Sequence, residues 1–125
     1  MRYFINVVPR AHVQEGFTGE ETRVRRPSRG DAIVFYSPRS DKKFTAIGEV
    51  VDDAPYHAGD GDPEPWRRNV RFLDCAEAAV QPLIDELEFI RNKTTWGVAF
   101  RRGFFEIGEA DYRRIADAMR NGGPG

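Results

Sequence analysis

One stretch of the chain, residues 30–51, GDAIVFYSPRSDKKFTAIGEVV, constrains the fold more than any other feature of the sequence. Residues 32–36 and 44–51 are rich in the β-branched and aromatic side chains that suit a pleated, half-buried surface. The charged run at 40–43 between them is typical of a solvated turn. The stretch therefore predicts an antiparallel β-hairpin, which we expect to form the centre of a small β-barrel.

The first strand of this hairpin ends in a polar sequence, Tyr36-Ser37-Pro38. Pro38 has no N–H group and cannot donate to a central β-ladder. Strand pairing should therefore stop beside Pro38 and leave nearby backbone groups free to bind something else. We expect a binding site at Tyr36 and Ser37.

The chain has 125 residues, a length that is typical of one domain with a single core. We predict one domain over residues 1–120 and a flexible tail over 121–125. Periodicity and turn residues predict the remaining elements. The expected strands lie at 2–8, 66–73 and 104–107, the expected helices at 9–13, 83–90 and 109–119, and the expected long loops at 17–29 and 52–64.

The sequence also indicates where the protein resides. No apolar run is long enough to span a bilayer, and the first residues lack the pattern of a signal peptide. Cys75 is the only cysteine, which excludes an internal disulfide. We therefore expect a cytoplasmic protein that does not associate with a membrane.

The charges are balanced overall but unevenly distributed along the chain. The formal net charge of −1 argues against binding nucleic acid by bulk positive charge, although a local patch would suffice. Arginine accounts for 16 of the 19 basic residues and is concentrated at 23–29, 67–71 and 101–102. Its guanidinium group binds phosphate in a bidentate manner and stacks on bases. An arginine-rich composition without functional meaning is the alternative explanation.

The residues that commonly take part in catalysis do not have the spacing of known catalytic motifs. His12 and His57 lie far apart and share no metal-ligand spacing with Cys75 or a carboxylate. The chain has no glycine-rich phosphate loop and no nucleophile elbow. A Cys75–His57 pair brought together in space is the remaining nucleophilic possibility, and Cys75 is otherwise explained as a small buried hydrophobe. We expect no catalysis, no metal and no cofactor.

Two residues stand out as candidate ligand contacts. Asn6 interrupts an apolar first strand, and a buried amide without partners would cost a few kcal/mol. Trp66 lies at the junction of a long loop and a strand, directly before Arg67 and Arg68. In that position a ring can stack on a planar ligand while guanidinium groups reach phosphates. For the other aromatic residues, core packing is the ordinary explanation.

With these residues in view, the chain resembles the EVE domain, a member of the PUA-like superfold related to the YTH readers of methylated RNA. The matching segments keep the family's order and run from Tyr3 to about Met119. They are YFINVVPRAHV, RGDAIVFYSPR, FTAIGEVVDDAPY, PWRRNVRFL, PLIDELEFI and KTTWGVAFRRGFFEI.

The resemblance implies an α+β domain, a small twisted PUA-like β-barrel flanked by short helices. It also implies a pocket that accepts one nucleobase, often modified, without chemistry on the base. By position, the pocket residues would be Asn6, Tyr36, Ser37 and Trp66, with Phe89 and Trp96 as walls. We expect the arginines that contact the nucleic-acid backbone to be Arg10, Arg39, Arg67, Arg68, Arg101 and Arg102.

The leading hypothesis from the sequence is therefore a monomeric, non-catalytic reader of a modified base in RNA or DNA. Two alternatives stay open: a small-molecule or nucleotide-processing enzyme on the same barrel, and a protein-interaction module that uses the arginine-rich face. The sequence leaves both the type of nucleic acid and the modification undecided.

Overall fold

The computed structural model describes residues 1–19, 21–61 and 65–120. Within them, 3₁₀ helices at Arg10–Glu15, Gln81–Leu83 and Trp96–Arg102 accompany the regular elements. The strands and α-helices are, in chain order, β1 (Tyr3–Val7), β2 (Phe17–Gly19), α1 (Glu21–Val24), β3 (Ala32–Ser37), β4 (Lys43–Val50), β5 (Tyr56–His57), β6 (Trp66–Arg68), β7 (Val70–Phe72), β8 (Ala78–Ala79), β9 (Phe104–Ile107) and α2 (Glu109–Arg120).

These strands form two sheets. The larger has the order β7-β4-β3-β1-β9, with β8 paired to the start of β4, and the smaller has the order β2-β6-β5. β1 runs parallel to β3, whereas its pairing with β9 is antiparallel. The predicted hairpin of β3 and β4 is confirmed at the centre of the larger sheet, with a bulge between Phe35 and Tyr36. β3 ends at Ser37, directly before Pro38.

The mixture of sheets and helices is confirmed, but the predicted small β-barrel is wrong, because the sheet does not close. In the part of the chain that the structure describes, the larger sheet is open, with β7 and β9 at its edges. Residues 66–73, predicted as one strand, divide at Asn69, so that β6 joins one sheet and β7 the other. The Asp52 carboxylate accepts hydrogen bonds from the Asn69 N–H (2.8 Å) and the Arg68 guanidinium (2.6 Å). These bonds stabilise the interruption at Asn69, where β6 of the smaller sheet ends and β7 of the larger sheet begins.

The predicted helix at 83–90 is also wrong, since the 3₁₀ helix Gln81–Leu83 gives way to a series of turns. The N–H groups of Glu88 and Phe89 donate to the carboxylate of Asp111 on α2, at 2.8 and 2.9 Å. The Lys93 ammonium donates to two carbonyls of the same segment, those of Ile84 and Leu87. The N–H groups of Glu88 and Phe89 therefore bind a distant carboxylate, where a continuous helix would pair them with carbonyls of its preceding turn.

The two predicted long loops contain regular structure. Residues 17–29 include β2 and α1, and β5 lies within 52–64, of which 62–64 are outside the described residues. The short helix after Pro9 and the last helix, α2, are confirmed. The predicted tail at 121–125 is outside the described residues. No helix in the described ranges is both long and apolar enough to cross a membrane.

The larger sheet separates two hydrophobic clusters. The side that faces β2, β6 and α1 is called the small-sheet side, and its cluster includes Phe4, Phe35 and Phe104. The opposite side is called the α2 side, because residues 81–102 and α2 cover it; its cluster includes Tyr36 and Phe100. Successive residues of β1 and β3 alternate between the two clusters, as the pleat requires.

Candidate nucleic-acid interface

The six predicted pocket residues lie on both sides of the larger sheet rather than in one pocket. Tyr36 and Ser37 are neighbours on β3, so the pleat directs their side chains to opposite sides. Asn6, Ser37 and Trp66 belong to the small-sheet side. Tyr36, Phe89 and Trp96 belong to the α2 side, where they contribute to or pack against the cluster.

Asn6 lies on β1, between β3 and β9, and is paired with Phe35 and Phe104. Both of those rings belong to the small-sheet cluster, which fixes the side that Asn6 faces. Its side chain is 1% exposed, and neither its amide oxygen nor its amide nitrogen has a hydrogen-bond partner within the described residues. A buried polar group in that condition costs about 1–3 kcal/mol. We therefore expect an apolar residue at position 6 to give a more stable fold.

Trp66 lies on β6, where its register partners are Gly19 on β2 and His57 on β5. Its ring is half-buried against the small-sheet cluster, and the His57 ring meets it edge-on with centroids 5.2 Å apart. Gly19 has a φ of +153°, and a Cβ atom there would lie 2.9 Å from the Arg23 side chain. β2 therefore presents backbone rather than a side chain beside Trp66.

Arg23, on α1, was not among the predicted site residues. Its aliphatic chain lies over Gly19, and its guanidinium is close to Gly103, the residue before β9. No hydrogen bond or ion pair joins Arg23 to another residue of the described ranges. Because Phe104 pairs with Asn6, the Arg23 guanidinium approaches the strand that neighbours Asn6. An unneutralised positive charge thus lies on the same side of the sheet as the amide of Asn6 and the ring of Trp66.

Ser37 is fully buried and forms a hydrogen bond across the hairpin of β3 and β4. Its hydroxyl lies 3.0 Å from that of Thr45, which in turn donates to the Phe35 carbonyl. These bonds satisfy polar groups at the bulge between Phe35 and Tyr36. The Ser37 hydroxyl is therefore enclosed in the sheet.

The aromatic residues on the α2 side are organised around Phe100. Tyr36 stacks on its ring with centroids 3.9 Å apart, and Phe89 and Trp96 meet it edge-on at 5.6 and 6.2 Å. Tyr36 is 2% exposed and belongs to the core. Phe89 and Trp96, by contrast, line a cleft of about 750 Å³.

The burial of Tyr36 predicts a loss of stability at alkaline pH. Burial raises the pKa of Tyr36 to about 12, whereas in the unfolded chain it stays near 10. Between these values the unfolded chain releases the phenol proton while the folded chain retains it, so the folded state loses stability as pH rises. We expect Tyr36→Phe to remove this part of the decline. Urea unfolding at about pH 9 and about pH 11 tests it, and equal declines in both proteins would contradict it.

Among the predicted backbone-contacting arginines, Arg10 and Arg68 bind carboxylates of the described residues. Arg10 binds Glu77 and Asp41 and holds the pKa of Glu77 below its ordinary value. Arg68 is 1% exposed, and its guanidinium is already engaged inside the protein. It donates to the carboxylate and carbonyl of Asp52 and to two further carbonyls, those of Val24 and Pro27.

The other four arginines are more accessible. Arg67 is partly exposed on the opposite face of β6, in register with Thr18 and Tyr56. Arg39 lies in the turn after β3 with a φ of 63° and is exposed. Arg101 and Arg102 are exposed at the end of the 3₁₀ helix before β9, and the Arg102 guanidinium lies 4.2 Å from the centre of the Phe105 ring.

The described residues do not form the nucleophilic pair considered from the sequence. Cys75 packs against the α2-side cluster, where burial raises the pKa of its thiol. His57 contacts Trp66, which packs against the cluster of the small-sheet side. The larger sheet therefore separates Cys75 from His57. Within the described ranges, no group of three or more His, Cys, Asp or Glu side chains could hold a metal ion.

Comparison with known proteins identifies similar chains. A family model described as the EVE domain matches residues 2–118. A UPF0310 protein of Mycolicibacterium vanbaalenii is 47% identical, over 95% of this chain and 93% of the relative. Another, from Bacillus licheniformis, is 39% identical, over 88% and 86%. A solved structure from Agrobacterium tumefaciens has 13% identity and a TM-score of 0.63, over 94% of this chain and 92% of that one, so the likeness is one of fold.

Proposed function

Because the chain belongs to the EVE domain family, we propose that it binds a nucleic-acid strand and receives one nucleobase on the small-sheet side. The amide of Asn6 is the observation that carries this proposal. It is buried in the sheet without a partner among the described residues, on the side where Trp66 offers a half-exposed ring. A base edge has the donors and acceptors that such an amide lacks.

Trp66 supplies affinity in this proposal, and Asn6 supplies selectivity. Stacking of a base on an aromatic ring contributes about 1–3 kcal/mol and tolerates any base. Burial of one additional methyl group contributes only about 0.8 kcal/mol, roughly a fourfold preference. Discrimination between bases must therefore come from hydrogen bonds, since a wrong base edge leaves a buried polar group unpaired.

The arginines contribute salt-dependent affinity for the nucleic-acid backbone. Arg23 is the best placed, because its guanidinium lies on the same side as Trp66 and Asn6 and has no carboxylate partner in the described residues. Arg39, Arg67, Arg101 and Arg102 remain proposed contacts, since each is at least partly exposed. Arg10 and Arg68 are held by their own carboxylates, so they are left out of the proposed interface.

We expect Trp66→Ala to weaken binding of single-stranded oligonucleotides about five- to 100-fold, the loss of one stacked base. The measurement is a fluorescence-anisotropy screen of RNA and DNA strands with unmodified and methylated bases, at low and moderate salt. The slope of affinity against salt should be the same for both proteins, because the substitution removes no charge.

The control is Phe72→Ala, which removes an exposed aromatic residue of β7 that packs on Phe35 in the larger sheet. Binding by this variant should match that of the unsubstituted protein. Equal binding of every oligonucleotide, with no effect of Trp66→Ala, would exclude the proposed site.

A further inference from the structure

The cleft on the α2 side is a second concave surface, distinct from the site at Trp66. It measures about 750 Å³ and is bounded by the segment after Glu88, the 3₁₀ helix Trp96–Arg102 and the start of α2. This volume falls in the range of about 300–1,000 Å³ that is usual for ligand sites. Its walls include two aromatic rings, those of Phe89 and Trp96.

The charges around the cleft favour an anion. Arg91 and Arg102 line it, and neither forms a hydrogen bond or an ion pair with another described residue. All three acidic side chains of the lining, by contrast, are already engaged: Glu106 with Arg2 at 3.0 Å, Glu88 with Arg114 at 3.9 Å, and Asp111 with Arg114 and two backbone N–H groups. The cleft therefore offers uncompensated positive charge to a ligand.

Its aromatic surface suits a planar group. Trp96 is half-buried, its ring stands at 84° to that of Phe100 with centroids 6.2 Å apart, and Val98 nearby is 49% exposed. A ring in this setting can stack on a base while the guanidinium groups bind phosphate. Aromatic and cationic groups in one cleft match the chemistry of a nucleotide.

The edge of the larger sheet connects the cleft to the site at Trp66. β9 is the last strand of that sheet, and Arg101, Arg102 and Gly103 directly precede it. The Arg23 guanidinium reaches Gly103 from the small-sheet side, whereas Arg102 lies over Phe105 on the α2 side. At this edge, guanidinium groups without carboxylate partners in the described residues therefore lie on both sides of the sheet, Arg23 on one side and Arg102 on the other.

We propose that the strand whose base is received at Trp66 passes around the β9 edge and places a second nucleotide in the cleft, with its base on Trp96 and its phosphates at Arg91 and Arg102. The inference rests on the proposed function, because it requires the same strand. A single free nucleotide would not need the positive path between the two sites.

The chain contains two tryptophans, one at each site, so their indole N–H signals in NMR spectra report the sites separately. Trp66→Phe assigns the signals. The probes are nucleoside monophosphates and single strands of about nine nucleotides, a length within the usual site size. We expect the monophosphates to leave the Trp96 signal unchanged and the longer strands to shift both signals.

Other outcomes separate the two proposals. A shift of Trp66 alone with the longer strands would overturn the second site and leave the proposed function standing. A shift of Trp96 alone would exclude the base site at Trp66. If monophosphates shift Trp96 as strongly as the longer strands do, the cleft is an independent nucleotide site and the strand path is wrong. No shift of either signal would overturn both proposals.

Two variants test the path by affinity. Trp96→Ala should weaken binding of the longer strand about five- to 100-fold. Arg91→Gln combined with Arg102→Gln should reduce the slope of log affinity against log salt by about 1.4, at about 0.7 for each phosphate contact. The control is Arg120→Gln, which removes one positive charge from an exposed arginine at the end of α2 that does not line the cleft. An unchanged slope in the double variant would overturn the path.

Discussion

Replacement of Arg68 by methionine is expected to lower the free energy of unfolding by about 3–5 kcal/mol, the usual loss when one partner of a buried ion pair is removed. Arg68 is 1% exposed and donates to the Asp52 carboxylate at 2.6 Å. It also satisfies the carbonyls of Val24 and Pro27 at 2.8 and 2.6 Å. The substitution leaves the two carbonyls buried without their donor and the partly buried Asp52 carboxylate without its cation.

The measurement is urea unfolding followed by circular dichroism. The control is Arg71→Met on β7, where the arginine is 62% exposed and binds Glu49 at 2.8 Å. An exposed pair of this kind contributes about 0–1 kcal/mol, so the control should unfold close to the unsubstituted protein. Similar losses in both variants would show that burial of Arg68 is not what stabilises the junction between the sheets.

Asn6→Leu is expected to have two opposite effects. Leucine has the branching and the number of side-chain heavy atoms of asparagine but is apolar, and the register partners of Asn6 are Phe35 and Phe104. Removal of an unpartnered buried amide should therefore raise the free energy of unfolding by about 1–3 kcal/mol. The same change should lower the ratio of affinities for the preferred and least preferred bases by at least about tenfold, because hydrogen bonds carry that discrimination.

The experiment combines urea unfolding with the oligonucleotide screen. Thr45→Val is the matched control, since this hydroxyl is bonded to Ser37 and to the Phe35 carbonyl. That variant should lose about 0.5–1.5 kcal/mol of stability and bind as before. A loss of stability in Asn6→Leu would show that the amide is satisfied in the free protein. Unchanged base selectivity would exclude Asn6 from the site.

Elements with a local pattern could be predicted from the sequence. The hairpin of β3 and β4 and the helix α2 both follow from periodicity within about a dozen residues. The break at Asn69 depends on Asp52, which lies in a different part of the chain. The turns after Leu83 likewise depend on Asp111, which binds the backbone from α2. Neither interaction has a signature in the segment that it reshapes.

Part of the candidate site has a local signature in the sequence. Asn6 and Trp66 stood out because an amide in an apolar strand and a tryptophan before two arginines are chemically unusual. The period of two along β3 already implied that Tyr36 and Ser37 face opposite sides, so a single pocket containing both was not consistent with the strand. Nothing local distinguished Arg23 from Arg25, which pairs with Glu21. Only the tertiary fold shows which guanidinium lacks a partner.

The position of β1 between β3 and β9 has a consequence for synthesis of the protein. β1 leaves the ribosome about 100 residues before its antiparallel neighbour β9. Until β9 is synthesised, the edge of β1 that will pair with it has no neighbouring strand. Asn6 lies on this strand. Contacts of such large sequence separation slow folding, so the nascent chain holds an open strand edge while the residues between β1 and β9 are synthesised, and the sheet is completed only when β9 has emerged.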